Sequence, residues 1–119
     1  MNQPSELSLR DAIATRLRAI KTITGATDAQ LGAYMGISRT SFANAIGLNR
    51  RVTVKPKEEA IVRLCERSGL TTDFIYRGTY AGVPYELAIA LQAALAGKWD
   101  KSRAPIALRD PPDRGRRPP

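Results

Sequence analysis

The sequence predicts a small all-α protein, and three observations lead to that prediction. Apolar residues recur at helical spacing, as Ile13, Leu17 and Ile20 do at i, i+4 and i+7. Capping residues such as Thr27 begin these stretches, and glycines end them. The alternation of polar and apolar residues that is typical of a strand is confined to residues 51–55, which lie between turn signals.

The caps and glycines divide the body of the chain into six predicted helices. The first begins with a capping-box-like start at Ser8, and the fourth begins near Pro56, which suits a first helical turn. Gly69 and Gly78 end the fourth and fifth helices. The predicted helices cover residues 8–23, 27–35, 38–46, 56–68, 72–77 and 85–95.

Composition separates the end of the chain from its body. Residues 98–119 carry seven basic and three acidic residues, five prolines and few aliphatic side chains. A segment of this composition is predicted to be a disordered basic tail. The remaining segments are predicted as an N-terminal arm over 1–7, a helical domain over 8–78 and an additional helical segment over 79–97.

The balance of charge and the scarcity of reactive side chains exclude several function classes. Lys and Arg number 19 against 11 Asp and Glu, a formal net charge of +8 in 119 residues, which favours an anionic partner. The absence of His removes Ser-His-Asp triads and His-ligated metal sites. A single Cys forms no intrachain disulfide. We therefore expect neither an enzyme nor a cofactor or metal ion.

The distribution of apolar residues also bears on location. The N-terminus has neither a basic region nor an apolar core of a targeting segment. The most apolar stretch, residues 87–96, is shorter than the roughly 20 residues that span a bilayer. We expect a chain that is not associated with a membrane and that lies in the cytoplasm, on the nucleoid.

Two short helices joined by a glycine turn form the central motif. A helix-turn-helix places two helices around a three- or four-residue turn that contains Gly. Gly32 is expected to let the second helix approach the third, Gly36 to adopt positive φ, and Ser38 to cap the third helix. Ile37 is expected to fill the core at the corner.

Taken with the downstream sequence, this segment resembles the Cro/cI repressor-like (Xre-type) helix-turn-helix family. The resemblance covers roughly residues 13–78 and rests on Gln30 and Leu31, on residues 35–38, and on residues 70–78. It implies the five-helix phage-repressor-like domain, here followed by an extra helix. Many family members carry Gln where this chain has Asp28, and there that side chain contacts a phosphate.

Docking of the third helix in the major groove predicts which side chains read bases. Its outward positions include Arg39, Thr40 and Asn44, whereas Phe42 and Ala45 face the core. Arg39 is expected to pair with guanine, Asn44 with adenine, and the methyl of Thr40 with a thymine methyl.

The flanking residues are expected to contact the DNA backbone. No acidic residue lies between Arg39 and Lys57, and the loop after the third helix is basic. Neutralising several phosphates makes binding strongly salt-dependent. The predicted backbone contacts are Thr27, Ser38, Ser41, Asn49, Arg50, Arg51 and Lys55.

The sequence therefore predicts a sequence-specific regulator of transcription that binds double-stranded DNA, and the resemblance implies a repressor. A homodimer is expected because one helix offers few base contacts, with residues 85–95 as the candidate dimer surface. Two alternatives stay open. One is an antitoxin-type module that holds a protein partner and regulates its own gene, and the other is a nonspecific nucleic-acid binder that uses its basic tail.

Overall fold

A computed structural model describes residues 6–47 and 55–108, and within these ranges the chain is all-helical. The described residues contain no strand. The helices are α1 (Glu6–Thr24), α2 (Asp28–Met35), α3 (Arg39–Ala45), α4 (Glu58–Ser68), α5 (Thr72–Arg77) and α6 (Tyr85–Leu95). The prediction of a small all-α domain is thus confirmed.

The helix bounds agree closely with the sequence signals, with two corrections. α1 begins at Glu6, so Ser8 lies within its first turn and does not cap it. α4 begins at Glu58, because Lys57 has the extended backbone of an N-cap (φ −66°, ψ 151°) and Pro56 precedes that cap. The predicted bounds of α5 and α6 are those of the structure.

One apolar core joins the helices. α1 supplies Ile13, Leu17 and Ile20 to it, as their spacing predicts, and packs against both α5 and α6. Fully burying one such side chain contributes about 1.5–3 kcal/mol. The largest fully buried side chains are Phe42, Phe74, Ile13, Leu17, Ile20, Ile23, Leu31, Met35, Ile61, Leu64, Ile75 and Leu91.

The turn between α2 and α3 has the geometry that its glycines predict. A Cβ atom at Gly32 would lie 2.8 Å from the carbonyl oxygen of Ile37 and 3.1 Å from that of Ser38. Only a residue without a side chain permits this approach. Gly36 has a φ of 74°, in the left-handed region. Ile37 packs against the core at the corner, and the two helices are therefore held in a fixed relation.

The segment after α6 departs from the predicted disordered tail. Residues 98–108 form no regular element, but Trp99, Ile106 and Leu108 pack against the core. The backbone N–H of Ile106 donates to the carbonyl of Ile23, at 2.8 Å. Three apolar side chains are too few to form a core of their own. They are enough to hold this segment against the surface that α1 and the core already provide. The folded part of the chain extends past residue 97, and 109–119 lie outside the described residues.

Among the described residues, none of the helices combines the length and the apolar character needed to cross a membrane.

Candidate nucleic-acid interface

The exposed face of α3 carries the predicted base-reading side chains. Arg39 and Thr40 are exposed, and Asn44 is half-buried one turn further along. Phe42 and Ala45 point the other way and are buried in the core, as expected. α3 therefore presents one polar face outward over an apolar underside.

Hydroxyl groups cap the start of both helices of the helix-turn-helix. The side chain of Thr27 accepts from the N–H of Gln30 at 3.1 Å, and the Thr27 N–H donates to Gln30 Oε1 at 2.9 Å. This is the predicted capping box. Ser38 Oγ accepts from the N–H of Ser41 at 3.0 Å and donates to Ser41 Oγ. The Ser41 hydroxyl keeps its own proton for an outside acceptor.

A groove runs between the helix-turn-helix and the start of α4. Its volume is about 570 Å³, and Ser38 and Ser41 line one side of it. Its charged lining residues are the cations Lys55, Lys57 and Arg63 and the carboxylate Glu59. The groove thus brings together three of the predicted backbone contacts: Ser38, Ser41 and Lys55. Asn49, Arg50 and Arg51, which were also predicted to contact the backbone, fall outside the described residues.

Two of the basic residues near the predicted interface escape sequence reasoning. Arg63 lies in α4 and pairs with Glu59 at 2.9 Å, while its guanidinium covers Gly36 in the turn. Lys57 belongs to the basic stretch, but its position in the sequence does not indicate that it lines the groove. Helical spacing marks Arg63 only as exposed, and its position over the turn depends on how α4 packs on α2, which no local pattern shows.

An ion pair accounts for the acidic residue at the start of α2. Lys21 Nζ lies 2.8 Å from Asp28 Oδ1, across the turn that joins α1 to α2. The resemblance places Asp28 where other proteins offer Gln to a phosphate, and an uncompensated carboxylate would repel that phosphate. Lys21 offsets this charge, so the first turn of α2 remains compatible with an anion.

Removing the Asp28 charge tests this compensation. The resemblance implies a phosphate at the start of α2; Asp28→Asn would leave Lys21 free to attract it, and about fivefold tighter binding to duplex DNA is then expected, from roughly 1 kcal/mol for one charge pair at 4 Å in water. Fluorescence anisotropy at fixed salt measures the change. Asp73→Asn is the matched control, since Asp73 is also a first-turn aspartate but belongs to α5. Equal affinities for the two variants would show that Asp28 lies away from the DNA.

The thiol of Cys65 belongs to the structure rather than to a reactive site. Cys65 is half-buried and packs against the core from α4. Burial, followed by the charge of Glu66, raises the pKa of this thiol to about 11. The thiolate is the reactive form of cysteine, and a raised pKa leaves less of it near neutral pH. The fold therefore lowers the reactivity of Cys65.

Alkylation measures that suppression. Because the pKa rises from 9.0 to about 11, the thiolate fraction at pH 8 falls about 100-fold, and iodoacetamide should label the folded chain between about 10-fold and 100-fold more slowly than the unfolded chain. Mass spectrometry of timed samples, with and without 6 M guanidinium, gives the two rates. Similar rates would mean that the thiol is open to solvent.

The described residues contain no group of three or more His, Cys, Asp or Glu side chains placed to hold a metal ion. Comparison with known proteins adds no assignment: no protein-family model matches the chain, and it has no significant match among the curated proteins or the solved structures compared with it.

Proposed function

We propose that this protein is a sequence-specific DNA-binding regulator of transcription that inserts α3 into the major groove. One observation carries the proposal. α3 is fixed from below by buried Phe42 and at its start by the Ser38 cap, while Arg39 and Thr40 are exposed. A short rigid helix with polar outward residues at its N-terminal end is what major-groove reading requires.

Base recognition follows from the chemistry of three side chains. The Arg39 guanidinium matches the N7 and O6 acceptors of guanine, and the Asn44 amide matches the donor and acceptor of adenine. The Thr40 methyl suits contact with the methyl group of thymine. Each bidentate pair discriminates by about 1–3 kcal/mol, so a few such contacts give a usable preference.

The charges around α3 supply affinity. Lys55, Lys57 and Arg63 line the groove that Ser41 of α3 also lines. Such groups contact phosphates and set the register of the protein on the duplex without reading sequence. Each neutralised phosphate adds about −0.9 to the slope of log affinity against log salt concentration.

The outer face of α6 supports a homodimer. Tyr85 is 81% exposed, Ile89 44% and Leu95 39%, which is unusual for large apolar side chains. α6 carries a single charge, Glu86, whereas the chain has a net charge of +8. Two copies that approach through α6 therefore avoid the repulsion that any basic face would impose, and a twofold axis brings identical apolar patches together.

The proposed regulation of transcription depends on whether the protein occupies its DNA site. The resemblance of the helix-turn-helix segment to repressors favours repression, in which the bound dimer excludes other proteins from the same DNA. A protein with this role acts in the cytoplasm, on the nucleoid.

Selection of bound duplexes from random DNA tests the proposal in one experiment. We expect enrichment of inverted repeats whose half-sites lie about 34 Å apart, one turn of DNA, because a dimer presents two α3 helices. Anisotropy with the enriched duplex at several salt concentrations should give a steep negative slope. Salt-dependent binding without any enriched sequence would indicate the nonspecific binder instead. Absence of binding to duplex DNA would refute the proposal.

A further inference from the structure

A second cationic groove lies between α1 and the segment that follows α6. Its volume is about 520 Å³. Four cations line it, two from α1 (Arg18, Lys21) and two from the C-terminal segment (Lys101, Arg103). None of the lining residues is acidic. The groove therefore concentrates positive charge contributed by parts of the sequence that are 80 residues apart.

The C-terminal side of the groove is held by local contacts. The Asp100 carboxylate accepts from the N–H of Ser102 at 2.9 Å and from its hydroxyl at 2.7 Å, and the Arg103 N–H donates to the Asp100 carbonyl. These hydrogen bonds lower the pKa of Asp100, so the carboxylate is ionised and already engaged. The guanidinium of Arg103 lies 5.2 Å from the centroid of the Trp99 ring, within cation–π range.

The α1 side is equally fixed, and it adjoins both helices of the helix-turn-helix. Arg18 donates to the carbonyl of Ile46, which ends α3 and itself lines the groove. Gly25 and Ala26, which lead into the Thr27 cap of α2, line it as well. Lys21 is paired with Asp28, but no described carboxylate lies within 4 Å of the cationic groups of Lys101 or Arg103.

We propose that this groove binds the DNA backbone, with Lys101 and Arg103 holding phosphates next to those contacted by the helix-turn-helix. The inference rests on the proposed function and extends it, since it makes the C-terminal segment part of the interface. Like charges held close together repel one another, and an anion is the ligand that lowers this repulsion. Because the groove begins where α3 ends, the strand that flanks α3 is the anion within reach.

Charge removal within the groove tests the assignment. We expect Lys101→Ala/Arg103→Ala to weaken binding to the selected duplex about tenfold at 0.1 M salt and to reduce the slope of the salt dependence by about 1–2, the value for one or two phosphates. The sequence preference should not change, because phosphate contacts carry no direct sequence information. Anisotropy titrations at five salt concentrations give both quantities.

Two further variants separate the groove from general charge. Arg77→Ala/Lys98→Ala removes the same net charge from exposed positions that do not line the groove, and it should keep the wild-type slope. Lys101→Arg/Arg103→Lys keeps the charge and should also keep the slope. Trp99, the single tryptophan of the chain, reports on the groove directly, and its emission should change on addition of the duplex with the midpoint seen by anisotropy.

The outcomes distinguish the two proposals. If the wild-type chain binds the selected duplex, and the groove variant has the affinity and slope of the Arg77→Ala/Lys98→Ala control, the groove holds no phosphate although DNA binding stands. A defect with single-stranded DNA alone would likewise overturn the assignment to the duplex. If the wild-type chain binds no duplex at all, both proposals fail.

Discussion

Replacing Arg39 and Asn44 together by alanine is expected to remove most of the sequence preference of this protein while leaving its salt-dependent binding. Each side chain is assigned one bidentate pair worth about 1–3 kcal/mol, so the double variant should lose about 30-fold to 10⁴-fold in affinity for the selected site. Its affinity for random duplex of the same length should fall only by the effect of one lost charge. Competition anisotropy, with selected and random duplexes, measures both.

The reason for expecting a clean result is structural. Arg39 is exposed and Asn44 half-buried, and alanine is a better helix former than either residue, so the helical propensity of α3 should not fall. Arg77→Ala is the charge-matched control, because Arg77 is exposed at the end of α5. Recovery of an unchanged sequence motif from the double variant would remove both residues from base readout and shift recognition to other side chains.

Local signals account for the parts of the fold that were predicted well. The bounds of α5 follow from Thr71 as a cap and from Gly78, whose φ is 77°. The capping box depends on two residues three positions apart, Thr27 and Gln30, and both of its hydrogen bonds are present. Signals of this kind are read within a few residues, because the groups that satisfy each other are neighbours in the chain.

Nonlocal packing accounts for what was not predicted. The charge of Asp28 is compensated by Lys21 only because the turn at Gly25 brings the start of α2 within reach of the last turn of α1. Likewise, composition marks 98–119 as a tail, yet the Ile106 N–H meets a carbonyl of α1. The periodicity and composition of one segment do not indicate where another segment packs. The groove between α1 and the segment after α6 therefore cannot be predicted from the sequence.

The exposed face of α3 depends on what lies beneath it, and Phe42 is the residue that shows this most directly. Its ring is fully buried beside the α2–α3 turn. Phe42→Ala leaves a cavity there, and we expect the free energy of unfolding to fall by about 3–5 kcal/mol. Because small domains have only about 5–15 kcal/mol in total, the thermal midpoint should drop by tens of degrees. Urea unfolding followed by circular dichroism at 222 nm gives the loss.

Thr40→Ala is the control on the same helix, since Thr40 is exposed and its replacement should change stability by no more than about 0.5 kcal/mol. Phe42→Leu keeps most of the apolar volume and should lose only about 1 kcal/mol, so it gives a folded variant even where Phe42→Ala unfolds in buffer. A loss below 1 kcal/mol for Phe42→Ala would mean that the ring is not a core residue. Of the buried residues of α3, only the small side chain of Ala45 would then fix the orientation of the helix, and with it the direction of Arg39 and Thr40.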